Sequence, residues 1–321
     1  MKRKNQVIAM LLTASILNVA HAKDLEEIPY GGFNSWVIRE IKESSIIGGK
    51  TKTLYEIGPD ETISGDKPYS NRGGSPWATS NVMAKVAGIT KCSNAVYRDN
   101  RSSTDGCVKM TTILEGVKAL GIINMKVLVS GSIFLGEMLE PISSTKNPYS
   151  KMNMGIPFSK RPTYLVYDYK VDVPKNNKKI YSSGFGSQKK LDTGDNAEVF
   201  IILQRRWEDE EGNLHAMRVG TGRQRYNTST IGWITGHRLE VWYGDITNHY
   251  GYQPYMDLIP KERSYYARNS KGKMVPVVEE GWDDKNATPT HLLIMASSGC
   301  GTAYTGTIGM TLWLDNVKLQ Y

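Results

Sequence analysis

The chain closes on a stretch, Thr290 to Tyr321, that alternates like a β-strand with a single interruption. It reads THLLIMASSGCGTAYTGTIGMTLWLDNVKLQY: an apolar strand, a Ser/Gly-rich turn, then a closing strand. Leu312 and Leu314 share one face of that strand. Val317, Leu319 and Tyr321 then carry the alternation on, one residue out of step, with the slip at Asp315-Asn316. A period of two with one added residue predicts a β-bulge, which bends a strand and often stands beside a site. A strand of this kind closes a β-sandwich.

The same period runs through the rest of the chain. Met125, Val127 and Val129 alternate before Ser130-Gly131-Ser132, and Ile133 and Leu135 resume after it, which reads as a hairpin. Between Tyr164 and Val173, Leu165, Tyr167, Tyr169 and Val171 share a face, whereas Ala197 to Trp207 and His291 to Ser297 are apolar runs of buried-strand length. Gly184-Phe-Gly186, Asp192 to Asp195 and Gly220-Thr-Gly222 read as turns. Helical spacing is confined to a turn or two within Ile231 to Trp242. The expected fold is all-β: a two-sheet antiparallel β-sandwich of jelly-roll type. No Pro/Ser linker, charge block or internal repeat divides the chain, so 23–321 is expected to be one large domain, with 23–75 as a loose arm.

Met1-Lys2-Arg3-Lys4, the apolar run Val7 to Val19 and Ala20-His21-Ala22 have the layout of a signal peptide cleaved after Ala22. The apolar run is too short to span a bilayer, and no later segment is apolar enough. The expected protein is therefore soluble, exported and not membrane-spanning. Its formal charge is +8, of which Lys2, Arg3 and Lys4 supply three, leaving +5 spread without an RNP box or zinc knuckle. That argues for a mildly basic solvated surface and against nucleic acid as a partner. Of the three cysteines, Cys92 and Cys107 could close a short loop in an oxidising compartment, leaving Cys300 over, and their spacing fits no zinc pattern.

Five segments, in order, resemble the family called the putative carbohydrate metabolism domain. They are Phe33-Asn-Ser-Trp36; Trp77-Ala-Thr-Ser-Asn81-Val82; Gly106-Cys-Val108-Lys-Met110-Thr-Thr112; Gly155-Ile-Pro157-Phe158-Ser-Lys-Arg161-Pro162; and Ser297-Ser298 to Gly306 followed by Thr311 to Val317. The resemblance covers most of residues 30–321. It implies an exported jelly-roll resembling carbohydrate-binding modules, in the periplasm or at the cell surface of a Gram-negative bacterium, in a glycan-utilising setting. Asn34 and Asn316 stand where the family pattern carries carboxylates, which weakens any catalytic or metal role at those two positions. Sugar-binding jelly-rolls hold a structural calcium between first and last strands through oxygen ligands. Asp315 is placed for that role and Asn34 would be its weaker partner.

Sugar recognition needs flat aromatic faces for pyranose C–H surfaces and polar groups for hydroxyls. Trp233, Trp242, Tyr243, Tyr250, Tyr252 and Tyr255 fall within one Gly/Pro-broken stretch, interleaved with Asp245, Asn248, His249 and Gln253, and Trp282 follows. These are the candidate ligand-binding residues for a polysaccharide or oligosaccharide; Trp36, Trp207 and Trp313 sit in strand patterns and are expected in the core. Glycoside hydrolysis needs a carboxyl pair, for which Glu279, Glu280, Asp283 and Asp284 come first, then Asp245, Asp257 and Glu240. Glu208 to Asn213 reads as a solvated hairpin turn. No serine sits in a G-x-S-x-G elbow, and Gly220-Thr-Gly222 lacks the context of a nucleotide site. The expected function is non-catalytic glycan binding in the cell envelope. The alternatives are a glycoside hydrolase and a structural or adhesive subunit with envelope protein partners.

Overall fold

A computed structural model gives the architecture of residues 24–65, 67–86, 88–119, 123–184 and 186–321, so the leader read at 1–22 lies outside the described residues. Alternating side chains force the two faces of a strand into different surroundings, and here they assemble two large sheets. The first has eight strands. Its path runs through Ser183–Gly184, Ile123–Ser130, Gly106–Ala119, Thr311–Gln320, Tyr164–Asp172 and Ile234–Glu240, with Leu25–Glu27 beside Thr311–Gln320 and Val96–Asn100 beside Gly106–Ala119. The second has ten strands, built around His291–Ser297, Ala197–Glu208, Leu214–Tyr226 and Met274–Trp282. The chain passes repeatedly from one sheet to the other, as in a jelly-roll, and four short 3-10 turns are the helical content of the described residues.

The core lies between the sheets. Val108, Met110, Leu165, Tyr167, Val171, Leu312 and Leu314 of the first sheet meet Ile133, Leu135, Val199, Ile201, Leu203, Leu292 and Ile294 of the second, all essentially without solvent exposure. Each such aliphatic side chain contributes about 1.5–3 kcal/mol by leaving water. The second sheet is buried on its other face too. Phe134, Phe200, Ile202, Leu293 and Met154 form a separate cluster there, against which Tyr149, Ile259 and Tyr265 pack. This double cover explains why Val199 to Leu203 is a continuous apolar run rather than an alternating one. Burial along that strand ends at Gln204. Trp207, expected in the core, therefore stands 41% exposed and stacks on His215 at 5.5 Å.

The bulge at Asp315-Asn316 is present. Val166 pairs with Lys318 and Asp168 with Asp315, so three steps on the closing strand match two on its neighbour. Asn316 takes the left-handed conformation (φ 53°), one that asparagine tolerates better than most residues. The slip lets Leu314 and Val317 both face the core.

Other expectations need correction. Ile123–Ser130 and Ser132–Met138 do not pair as a hairpin: the first pairs with Gly106–Ala119, the second with Trp77–Thr79, Met152–Met154 and His291–Ser297. The chain instead turns from one sheet to the other at Gly131, where a Cβ would lie 2.2 Å from the Ala95 carbonyl oxygen. Ile234–Glu240 is an edge strand, not a helical turn. Gly220 and Gly222 are not a turn but lie inside Leu214–Tyr226. There a Cβ on Gly222 would meet the Glu240 carbonyl oxygen at 2.7 Å, so the glycines admit a crossing segment. Residues expected in a loose arm are packed: Phe33 and Trp36 enter the main core, and Trp36–Lys42, Thr51–Ile57 and Glu61–Ser64 form a small sheet. The sandwich is not wholly antiparallel, since Leu214–Tyr226 and Met274–Trp282 run parallel. Cys92, Cys107 and Cys300 are free thiols. Cys92 packs with Ile41, Leu54 and Met83 rather than closing a loop, and burial pushes its thiol up to about 12.

Candidate functional site

After Glu240 the chain leaves the first sheet, crosses the paired glycines and adds Trp242–Tyr243 to the edge of the second sheet, with Thr221 opposite Trp242 and Gly220 opposite Tyr243. Met274–Trp282 occupies the same edge further along, with Trp282 opposite Arg218. Arg218 Nη1 donates to Thr221 Oγ1 at 3.1 Å, so those two side chains share a face. Cross-strand neighbours point the same way, which places Trp242 and Trp282 on that face as well, about 10 Å apart along the strand at ~3.3 Å per residue. The Arg218 guanidinium lies 5.5 Å from the Trp282 ring.

Beyond Tyr243 the chain folds into tight turns. The Asp245 carboxylate accepts from the Thr247 backbone N–H (2.9 Å) and hydroxyl (2.7 Å), which hold it below its ordinary value, while Ile246 anchors the loop in the interior. His249 then stacks on Trp242 with ring centres 3.7 Å apart, and Tyr250 follows at 4.6 Å from His249. Gly251 lies against the indole, where a Cβ would come within 2.7 Å of Cη2. Tyr250 is 94% exposed, and the buried Trp242 Nε1–H has no hydrogen-bond partner among the described residues. Tyr252 pairs with Asp257, and Asn248 and Gln253 are exposed on the same loop. Tyr243 turns inward instead: its hydroxyl donates to the Pro162 carbonyl at 2.7 Å, and Arg161 stacks 3.9 Å from its ring.

The predicted residues thus divide. Trp242, Tyr250, Tyr252, Asp245, Asn248 and Gln253 share one loop, and Trp282 stands along the same strand edge. Trp233 is elsewhere, beside the first sheet, with the Arg101 guanidinium 4.5 Å from its ring. Trp313, expected in the core, is half-buried on that sheet's outer face. His249, noticed in the sequence only as part of the aromatic stretch, is the ring that joins Trp242 to Tyr250. Arg218 had no sequence signal, because its partners come from strands far apart in the chain.

The four leading carboxyl candidates are engaged. Glu279 accepts from Gln204 Nε2 (2.6 Å), Arg218 Nε (2.7 Å), Arg218 Nη2 and the Ile259 N–H (2.7 Å). Burial pushes its carboxyl up, but the Arg218 charge and these donors hold it below the ordinary value. Asp283 is gripped by Arg205 at 2.7 Å and held low by it. Glu280 takes His215 Nδ1 at 2.6 Å, an interaction that, with Asp209, raises the imidazole's pKa. Asp284 accepts the Asn286 N–H at 2.7 Å, and Glu240 and Asp257 are exposed. Asp315, the expected calcium ligand, is fully buried, and a guanidinium already provides its cation: Arg101 Nη1 sits 2.8 Å from it and also contacts Asp168. Burial raises the Asp315 carboxyl to about 6. Asn34 Oδ1 accepts the Gly106 N–H at 2.7 Å. These donors do not fit a calcium cage, and among the described residues no three His, Cys, Asp or Glu are grouped to hold a metal ion.

A family model described as Putative carbohydrate metabolism domain matches residues 50–242, more than half of the chain. The chain belongs to that family, whose description ties it to carbohydrate metabolism. Two solved structures are similar to it, each described as a putative glycoside hydrolase. One, from Bacteroides thetaiotaomicron, is 17% identical, with 85% of this chain and 76% of that one covered and a TM-score of 0.45. The other, from Bacteroides vulgatus, is 14% identical, with 92% and 95% covered and a TM-score of 0.42. None of the curated proteins compared matches the chain. No helix among the described residues is long and apolar enough to cross a membrane.

Proposed function

We propose that this chain is an exported saccharide-binding protein of the cell envelope that holds its ligand without cleaving it. The observation that carries the reading is the Trp242–His249–Tyr250 ring cluster, ending on a tyrosine that solvent surrounds. Tyr250 is too exposed to stabilise the fold, and aromatic faces with adjacent amides suit a sugar's C–H surface and hydroxyls. Asn248 and Gln253 supply the amides. Trp282 and Asp245 flank the platform. The state of Glu279 and Asp283 supports binding over hydrolysis by that pair. A glycosidase needs one carboxyl protonated near neutral pH and a second beside it, whereas Glu279 and Asp283 are both ion-paired and held low. Export rests on the leader at 1–22, and the family's description favours a saccharide ligand.

The test is a glycan array probed with residues 23–321 and with the Tyr250→Ala and Trp242→Ala variants. Selective binding, at least tenfold weaker in Tyr250→Ala, is the expected result. Equal binding by that variant, or silence across the array, would remove the platform from the function and favour a protein partner. Release of shortened oligosaccharides by the wild-type chain would replace binding with hydrolysis.

A further inference from the structure

The outer face of the first sheet carries a row of alternating cations and rings that the aromatic platform does not use. Trp313 pairs directly with Lys109 on one neighbouring strand and with Lys170 on the other. Their ammonium groups lie 5.5 Å and 4.0 Å from the Trp313 ring centre. Lys170 also lies 5.8 Å from the ring of Trp233, whose centre is 4.5 Å from Arg101. The row therefore reads Lys109, Trp313, Lys170, Trp233, Arg101.

Its members differ in one respect. Arg101 is neutralised by Asp168 and Asp315. Lys109 and Lys170, both half-exposed, have no carboxylate within 4.0 Å among the described residues. Asp99 lies within electrostatic reach of both, and its carboxylate accepts the Trp313 Nε1–H at 2.9 Å. That bond fixes the indole, and the indole in turn holds the two ammonium groups by cation–π attraction. The two lysines stand two strand spacings apart, about 10 Å. With the Trp313 ring already attended by lysines, what the row offers a ligand is fixed positive charge. Beside it a cavity of about 380 Å³ is lined by polar groups including Asn34, Asp60, Arg98, Asp99 and Asn100.

We infer that this row is a second binding site, for an acidic polysaccharide whose carboxylate or sulfate groups pair with Lys109 and Lys170 while its hydroxyls enter the adjoining polar cavity. The inference rests on the saccharide reading for the nature of the polymer, but on different residues for its recognition.

Affinity electrophoresis of residues 23–321 tests it, with polygalacturonate against its full methyl ester and dextran sulfate against dextran. Retardation by the charged polymer of either pair and not by its neutral counterpart is expected, and the pair that responds identifies carboxylate or sulfate. The Lys109→Gln/Lys170→Gln double variant should lose at least tenfold in affinity. Lys189→Gln/Lys190→Gln removes the same charge from an exposed strand and should lose nothing. Equal loss in both double variants would reduce the effect to net charge and overturn the site, as would equal retardation by the esterified polymer or no retardation at all. Tyr250→Ala separates the two readings. If neutral glycans bind through Tyr250 and acidic ones do not bind, this inference alone fails; if acidic polymers bind through the two lysines and Tyr250→Ala changes nothing, the aromatic platform fails instead.

Discussion

Arg39 lies buried between Glu56 at 2.8 Å and Glu140 at 2.6 Å, with Thr79 donating to the far oxygen of Glu56. Burial raises the Glu56 carboxyl to about 7, against the pull of Arg39. The folded state then binds a proton more tightly than the unfolded chain, so this group's contribution to stability falls as pH rises from the ordinary 4.5 towards 7. Arg39→Met strands both carboxylates and should cost about 3–5 kcal/mol. The loss should be larger at pH 8 than at pH 5, as read from urea midpoints; a cost independent of pH would mean that the carboxylates are not buried as described. Nothing in the sequence pointed to this trio, because Glu140 lies 101 residues from Arg39. The same holds for Trp207 and Trp313. Strand periodicity places a side chain on a face, but whether another layer covers that face depends on distant segments.

At the scale of elements, Ser132–Met138 leaves His291–Ser297 after Phe134 and takes up Met152–Met154 from Gly136 onward. Gly136 sits at φ 139°, and a Cβ there would lie 2.0 Å from the Asn153 carbonyl oxygen. Gly136→Ala should therefore force the two strands apart and cost roughly 3 kcal/mol or more. Gly116→Ala, whose methyl group would meet nothing nearer than the Met125 carbonyl at 3.9 Å, should stay within about 0.5 kcal/mol. Urea denaturation of both variants checks the contrast, and equal midpoints would show that the exchange of partners tolerates a side chain. Strands were legible where one face is dry and the other wet, as in Tyr164–Asp172, and the bulge was legible because the phase of Leu314 and Val317 changes. Partners were not. Met125 to Leu135 has the pattern of a hairpin, yet Gly131 sends its halves into different sheets, and Gly220 and Gly222 look like a turn until the chain that crosses them is in place.

Across the whole molecule, the pairings of the second sheet return on themselves, from His291–Ser297 through Ala197–Glu208, Leu214–Tyr226, Met274–Trp282, Tyr266–Arg268, Met152–Met154 and Ser132–Met138 back to His291–Ser297. Its strands also wall both hydrophobic clusters. Unfolding should then be a single transition, with tryptophan fluorescence and far-ultraviolet circular dichroism giving the same urea midpoint; separated midpoints would divide the chain into independent units. The aromatic loop was legible as a density of rings, whereas the lysine–tryptophan row was not, because Lys109, Lys170 and Trp313 meet only through strand register. The pairing of Leu25–Glu27 with the end of Thr311–Gln320 sets Leu25 opposite Gln320, so the described chain enters and leaves at one place. A force drawing those two ends apart would meet the hydrogen bonds of this short ladder one after another, as a zip opens, rather than shearing them together.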